Sequence, residues 1–420
     1  MPKAGTHKHG GVREDYFGTS APGVYLEKEF GHPRRPRFLT GVPAFLGPLP
    51  ADFASGPAPK TPYLLRLSLW SQFERHFKRP WRDSYLGYAI RGFFENGGQR
   101  CIAVLLKDND FMSLRDGLEA IEVLDTVDLV AAPDLIRDRD TAFELQQIVV
   151  NHCQRMGDRF AILDSRKGDT NDQVWEQWSE TDGISGAIYY PWIKVRHLSG
   201  QGMELVPPSG HIAGVYARTD RFRGVHKAPA NEVLEGVLDL ERHLTGHDQE
   251  YLNPKRVNCL RSFPGRGIRV WGARTLSGHY TWTYVNVRRV FLTAVRWIYW
   301  NMQDVVFEPN NPNLWARIER ELSTYFIEQY RAGALKGRTP QEAFYVKCNG
   351  ETNPPELRDS GRVVTEIGLA STIPFEFVVV RLIHTAEGVT ISGPAGPNQT
   401  QHSDTQQSDQ TQKFDQTSSV

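Results

Sequence analysis

Apolar residues recur at helical spacing between residues 84 and 96, and the pattern stops at Asn96-Gly97-Gly98. A glycine just past the last apolar turn commonly ends a helix, so this segment predicts one. Residues 101–106 (CIAVLL) form an unbroken apolar run, which is typical of a strand covered on both faces. Helical and extended patterns then alternate through 114–124, 129–132, 140–156 and 159–164. The alternation predicts an α/β fold with a mixed, partly parallel sheet core flanked by helices.

The second half of the chain carries extended and helical patterns in a less regular order. Residues 186–195 (GAIYYPWIKV) predict a strand that Pro191 limits to an edge or a bulge. Residues 231–242 predict a helix and residues 282–286 an extended segment. Longer patterns predict helices at 287–302 and 312–333 and strands at 343–348, 363–370 and 375–384. The last of these is the longest β signal in the chain.

Near the N-terminus, the chain contains extended segments without an obvious local partner. Residues 22–30 place Val24, Leu26 and Phe30 on one face, which predicts a strand. A second extended piece covers residues 38–46, and no tight hairpin joins the two. Such a strand pairs either with an edge of its own sheet or with a sheet edge in another copy of the chain.

Composition suggests how the chain is divided. The first 20 residues are polar and glycine-rich, and the stretch after residue 393 is rich in Gln, Ser, Thr and Asp. Neither can bury enough apolar surface to order itself, so both predict flexible tails. We therefore predict a flexible tail, an N-terminal arm with the first strands, a linker, an α/β domain, a C-terminal core domain and a disordered tail at residues 1–20, 21–46, 47–62, 63–200, 201–392 and 393–420.

Residues 206–231 (VPPSGHIAGVYARTDRFRGVHKAPAN) look unlike a buried core segment. They contain three prolines, three glycines and four cations, with no apolar run longer than three residues. The pattern predicts a small-residue turn, a short amphipathic piece at 211–219 and a basic turn that ends at Pro229. The segment is then either a loop that holds a ligand or a surface against which other copies of the chain fit.

Composition excludes several functional classes. Hydrophobic residues make up 40% of the 420 residues, which is enough for a substantial core. Lys plus Arg equals Asp plus Glu at 49 each, so the bulk charge favours neither nucleic acid nor an anionic membrane as partner. The four cysteines are far apart and lack zinc-site spacing, which predicts reduced, buried side chains. We expect no secretion signal, no membrane span, no metal and no cofactor.

Arginines and two aspartates are the candidates for chemistry. The arginines lie beside glycine or aromatic residues in two turn-rich passages, where they predict either an anion site or, as we favour, salt bridges between subunits. Asp134 and Asp164 follow predicted strands, and they act either as an acid/base pair or, more commonly, as caps of the following helix or turn. With the arginines, they define the alternative function, an α/β enzyme acting on an anionic substrate. The arginines are Arg218, Arg221, Arg223, Arg261, Arg266, Arg269 and Arg274.

Several long motifs in fixed order resemble the contractile tail sheath protein family of phage tails and extracellular injection systems. APGVYLEKEF and TGVPAFLG resemble its N-terminal arm and first strand, while FFENGGQRCIAVLL, HCQRMGDRFAILD and YYPWIKV resemble its domain core. PPSGHIAGVYARTDRFRGVHKAPAN, LNPKRVNCLRSFPGRGIRVWGARTLS, YVNVRR, FEPNNPNLW and EFVVVRL are similar to its C-terminal core. The resemblance covers roughly residues 20–386. Within this range we expect none of the large surface insertions of many phage sheaths, and the polar tail has no counterpart in the family.

The resemblance implies a structural subunit that forms hexameric rings stacked around an inner tube and contracts without a nucleotide. It also implies partners at the baseplate and tail terminator, possible sibling sheath proteins, assembly in the bacterial cytoplasm, and no catalytic residues. Strands exchanged between subunits would be the arm, Pro22, Gly23, Val24, Tyr25, Leu26 and Glu27, and the C-terminal strand, Phe375, Phe377, Val379 and Arg381. Contacts to neighbours would come from Arg218, Arg221, Arg223, Arg266 and Arg269.

Overall fold

A computed structural model describes residues 39–50, 59–79, 84–179, 183–370, 377–385 and 388–392. The helices are α1 Trp70–His76, α2 Leu86–Glu95, α3 Phe111–Ala120, α4 Ala142–Met156, α5 Asn171–Ser179, α6 Ser209–Arg223, α7 Gly246–Leu252, α8 Val285–Asn301, α9 Pro312–Arg331, α10 Pro340–Ala343 and α11 Pro355–Asp359. The strands are β1 Pro43–Pro48, β2 Tyr63–Leu67, β3 Cys101–Leu106, β4 Leu129–Ala131, β5 Phe160–Asp164, β6 Gly186–Tyr190, β7 Ile193–Arg196, β8 Met203–Val206, β9 Val237–Leu240, β10 Val257–Phe263, β11 Gly267–Val270, β12 Phe344–Lys347, β13 Val363–Ala370, β14 Phe377–Thr385 and β15 Gly388–Ser392.

The central sheet has eight strands in the order β11-β10-β6-β5-β4-β1-β3-β2. The six inner strands, from β10 to β3, run parallel, and β11 and β2 add antiparallel edges. Helices cover both faces, so side chains alternate between two apolar cores. In β1, Phe45 packs on the side of α2 and α6, whereas Ala44 and Leu46 pack on the side of α3 and α4. The predicted fold class, a mixed and partly parallel sheet flanked by helices, is confirmed.

Segments with strong local patterns match the predictions closely. The run at 101–106 is a fully buried strand, and the helix predicted at 84–96 ends at Asn96, followed by Gly97 with φ of +93°. The helices predicted at 287–302 and 312–333 form α8 and α9. In α9, the Asn311 side chain accepts hydrogen bonds from the amides of Asn313 and Leu314, which caps the helix start.

Three local predictions are wrong. The segment 186–195 is two strands, because Pro191 ends β6, which lies inside the central sheet, before β7 enters a separate sheet of order β8-β7-β9. Residues 231–242 contain the short strand β9 and no helix, since Gly236 has a φ of +78° that breaks helical geometry. Residues 282–286 complete a 3-10 turn and begin α8 instead of staying extended.

The first described strand, β1, lies inside the central sheet. The extended piece predicted at 38–46, before a linker that starts at residue 47, continues to Pro48 and pairs in parallel with β3 and β4. It is therefore a central strand of the main sheet and not an exposed arm. The predicted arm at 22–27 and the tails at 1–20 and 393–420 lie outside the described residues.

The C-terminal part forms a third apolar core around α8, α9 and an antiparallel sheet of order β12-β13-β14-β15. Its strand β14 is paired on both sides within the chain, with Phe377 opposite Ala370 of β13 and Arg381 opposite Ser392 of β15. The strand predicted at 375–384 therefore has partners within its own chain, while Phe375 lies outside the described residues. The edges of this sheet are β12 and β15.

Candidate assembly surface

The segment predicted as a loop or mating surface is mostly a buried helix. In α6, the residues from Ser209 to Ala217, together with Thr219 and Asp220, are buried. Its glycines serve close packing on α2: a Cβ on Gly210 would lie 2.2 Å from the Ala89 Cα, and one on Gly214 would lie 2.6 Å from the Phe93 carbonyl oxygen. Small residues that resemble turn signals here allow two helix backbones to approach.

Only the C-terminal end of this helix reaches the surface. Arg218 is engaged within the chain, because its guanidinium donates to the Val233 carbonyl at 2.6 Å and to the Asn96 carbonyl at 3.4 Å. The side chains of Arg221, Phe222 and Arg223 are exposed, and the Arg221 guanidinium lies 4.4 Å from the Phe222 ring centre. Of the predicted neighbour contacts on this segment, Arg221 and Arg223 are therefore the exposed side chains.

The β10–β11 hairpin holds most of the second arginine group. Arg269 donates to the Arg266 carbonyl at 3.0 Å and to the Asn231 carbonyl at 2.7 Å, so it stabilises its own chain. Arg266 is exposed, with its guanidinium 5.9 Å from the Phe263 ring centre, and Arg261 lies 5.2 Å from the same ring. Exposed and at cation–π distance from this ring, Arg266 has hydrogen-bond donors available at the surface.

The two strand-end aspartates cap helices. The Asp134 carboxylate accepts from the Ser84 hydroxyl at 2.8 Å, the Tyr85 amide at 2.7 Å and the Arg137 Nε at 2.7 Å, at the start of α2. Asp164 accepts from the Ser209 amide at 2.8 Å at the start of α6, and burial raises its pKa to about 7. Each carboxylate caps a different helix N-terminus. Neither helix is the one that follows the aspartate's own strand, so the predicted cap of the following helix or turn is wrong in its partner.

A buried ionic cluster joins the central-sheet part to helix α8, and the sequence pattern does not reveal it. Arg289 of α8 donates to both carboxylate oxygens of Asp220 at 2.8 and 2.6 Å and to Asp128 at 3.2 Å. Asp128 also accepts from the amides of Gly41 and Val42 at 2.9 and 2.6 Å. Burial lowers the pKa of Arg289, but the two carboxylates outweigh burial and raise it above its ordinary value.

This cluster connects the first described segment to the C-terminal part. Asp128 precedes β4, Asp220 lies in α6, and the accepted amides lead directly into β1. Arg296, about two helical turns further along α8, places its guanidinium 3.7 Å from Asp128. The segment at 41–42 is therefore held by the same charges that attach α8.

Several site classes find no support. Among the described residues there is no group of three or more His, Cys, Asp and Glu side chains positioned for a metal, and no helix with the length and apolarity to cross a membrane. All four cysteines are buried, and burial raises the pKa of the Cys259 thiol to about 12. Because Asp134, Asp164 and Arg218 are engaged within the chain, the geometry does not favour an enzyme site for an anionic substrate.

Known proteins share both parts of this architecture. Residues 107–276 match the family described as phage tail sheath protein central domain, and residues 279–384 match the phage tail sheath C-terminal domain. A chain in the anti-feeding prophage baseplate structure is 32% identical with a TM-score of 0.67, over 86% of this chain and 97% of that one. A chain in the contracted sheath complex of the extracellular contractile injection system PVC is 30% identical with a TM-score of 0.68, over 85% and 95%.

The tail sheath protein of Burkholderia phage BcepMu is 33% identical over 94 residues, which are 21% of this chain. The aligned part spans only 20% of that relative's length. Fold and comparisons together define a structural sheath protein built from an α/β core and a C-terminal sheet. The chain belongs to the contractile tail sheath protein family.

Proposed function

We propose that the chain is the subunit of a contractile sheath that stacks as hexameric rings around an inner tube and drives the tube through a target envelope on contraction. The observation that carries the proposal is the match over 86% of the chain to a subunit in a six-fold symmetrised baseplate of the anti-feeding prophage. A second similar chain comes from a sheath in its contracted state. Baseplate, terminator and inner tube proteins are the proposed partners, with sibling sheath proteins as further candidates.

We place the particle in a phage tail or a released injection system, assembled in the bacterial cytoplasm. Energy for contraction would come from two packings of the same subunits, since a difference of a few kcal/mol per subunit adds up over many copies. No cofactor enters this mechanism.

Strand exchange would tie the subunits together during contraction. The C-terminal sheet leaves the backbones of β12 and β15 at its edges, whereas β14 is paired on both sides. A strand added at such an edge gains main-chain hydrogen bonds that persist while the bodies rotate. We therefore propose that Pro22–Glu27 of one copy pairs with an edge of this sheet in another copy. We propose that exchange of the C-terminal strand between copies would also take place in this sheet.

The proposal predicts that the purified chain forms helical tubes visible by negative-stain electron microscopy. Deletion of residues 1–30 should leave a folded monomer that does not polymerise, because the exchanged strand is lost. Deletion of 393–420, a truncation of similar length, is the matched control and should still form tubes. A wild-type chain that stays monomeric at high concentration with its tube protein present would contradict the sheath role; normal tubes from the N-terminal truncation would contradict strand exchange alone.

A further inference from the structure

Residues 303–308, here called the acidic turn, present an exposed aromatic side chain. Phe307 is 94% exposed, and its backbone has a φ of +70°. A phenylalanine in the left-handed region is strained, and strain of this kind persists only where the surroundings enforce it. A folded monomer gains nothing from an apolar ring held in solvent at such a cost, so the ring is a candidate contact to another molecule.

The acidic turn is held firmly by the body of the protein. Val305 is buried at 5% exposure, and the amides of Val306 and Glu308 donate to the carbonyls of Gln303 and Val305 at 3.2 and 3.3 Å. Arg317 of α9 pairs with Asp304, with Glu308 at 3.9 Å and with Glu321 at 3.1 Å. Three carboxylates against one guanidinium leave a net negative surface around Phe307. Asp304 and Glu308 remain about half exposed, at 50% and 49% of their side chains.

The end of α6 has the opposite charge and the same aromatic character. Arg221, Phe222 and Arg223, here called the basic end, are all exposed, and Phe222 is 68% exposed. Neither arginine has an ion-pair partner in the part of the chain that the structure describes. Apart from the half-buried Arg218, the helix up to Asp220 is buried, so these three side chains project from a fixed support. Cations at a helix C-terminus are also stabilised by the helix dipole.

We propose that the acidic turn of one copy docks on the basic end of a second copy, with Phe307 against Phe222 and the carboxylates of Asp304 and Glu308 facing Arg221 and Arg223. The inference rests on the proposed function, because it assumes that copies of the chain assemble. The two surfaces are different parts of the same chain, so the contact is heterologous. Heterologous contacts extend into rings or open helices, whereas a two-fold contact closes at a dimer. Opposite charge selects this pairing over contacts between like surfaces.

The test uses charge reversal in the full-length protein. The basic-end variant carries Arg221→Glu and Arg223→Glu, and the acidic-turn variant carries Asp304→Lys and Glu308→Lys. Each variant alone places like charges across the contact, so its critical concentration for tube formation should rise more than about tenfold. A one-to-one mixture should form tubes again, because each reversed surface then meets an opposite charge on the other variant. A chain with all four changes keeps the wild-type net charge and should also assemble.

The aromatic part of the contact is tested separately. Phe307→Asn should weaken assembly without lowering the thermal unfolding temperature, because asparagine tolerates the left-handed backbone. Phe307→Leu keeps an apolar side chain and should assemble better than Phe307→Asn. Thermal unfolding of each monomeric variant controls for misfolding.

The outcomes separate the two proposals. Two results would overturn the docking of these two surfaces and leave the sheath role standing. In the first, the wild-type protein forms tubes and each charge-reversal variant alone forms them equally well. In the second, the variants are folded but do not form tubes when they are mixed. Variants that assemble alone but lose binding of an inner tube protein would also overturn it, in favour of the tube as occupant. Failure of the wild-type protein to assemble would count against the sheath role itself.

Discussion

Removal of the Arg289 side chain is the sharpest test of the packing between the central sheet and the C-terminal part. Methionine has a similar length and an apolar stem, so Arg289→Met removes the charge while it keeps much of the volume. The change leaves Asp220 and Asp128 buried without the guanidinium that contacts both, at 2.6 and 3.2 Å. Arg296 stays near Asp128, at 3.7 Å, but Asp220 loses its charged partner.

The expected loss is large because a buried charge without a partner is costly. Breaking a buried ion pair from one side costs roughly 3–5 kcal/mol. At about 2.1 cal/mol/K of unfolding entropy per residue, each kcal/mol corresponds to about 1–1.5 °C in Tm for a chain of this size, so the variant should melt on the order of 5 °C below wild type. Burial already raises the pKa of Asp220, and without Arg289 this carboxyl takes up a proton at a higher pH. The difference in stability between the variant and wild type should therefore become smaller when the pH is lowered.

Urea unfolding monitored by tryptophan fluorescence, with thermal melts, measures the effect on the monomeric protein. Arg317→Met is the matched control, since Arg317 pairs with Asp304 and Glu321 at the surface and its loss should change the unfolding midpoint little. Asp220→Asn added to Arg289→Met should recover part of the stability, because one buried charge is then removed. A loss below about 1 kcal/mol, or no recovery in the double variant, would refute the assigned role of the cluster.

Two further predictions concern α6. Gly210→Ala should destabilise the protein by about 1–3 kcal/mol in urea unfolding, because its Cβ would lie 2.2 Å from Ala89 Cα, whereas Gly246→Ala in α7 has open space and should be nearly neutral. His211 is buried, and burial together with Arg91 lowers its pKa from 6.5 to about 3. The unfolded chain binds this proton between those pH values and the folded chain does not, so stability should fall as the pH drops below 6.5, by about 2 kcal/mol at pH 5. His211→Leu should lose less stability between pH 7 and pH 5 than wild type; equal losses would contradict the assignment.

Local sequence pattern alone determined many elements of this protein. The fully buried strand at 101–106 and the strand at 363–370 were predictable because side-chain periodicity reports burial within one element. The alternation of helices and strands likewise determined a partly parallel sheet. The order of long motifs indicated the sheath family, because that signal spans most of the chain.

Tertiary structure decided what the local pattern could not. Gly210 was predicted in a turn, yet it lies in a buried helix because α2, more than a hundred positions earlier, packs against it. Arg289 lies 69 residues from Asp220 and 161 from Asp128, so no short-range pattern reveals that this arginine pairs with both aspartates.

Local sequence pattern also failed to show which side chains are exposed at the surface. Nothing in the local sequence distinguished Arg218, whose donors are used within its own chain, from Arg221 and Arg223, which are exposed. The exposure of Phe307 was equally hidden, since its neighbour Val305 is apolar and buried. Periodicity depends on residues within one or two turns, whereas burial of a whole helix and the pairing of charges depend on elements that only the folded chain brings together.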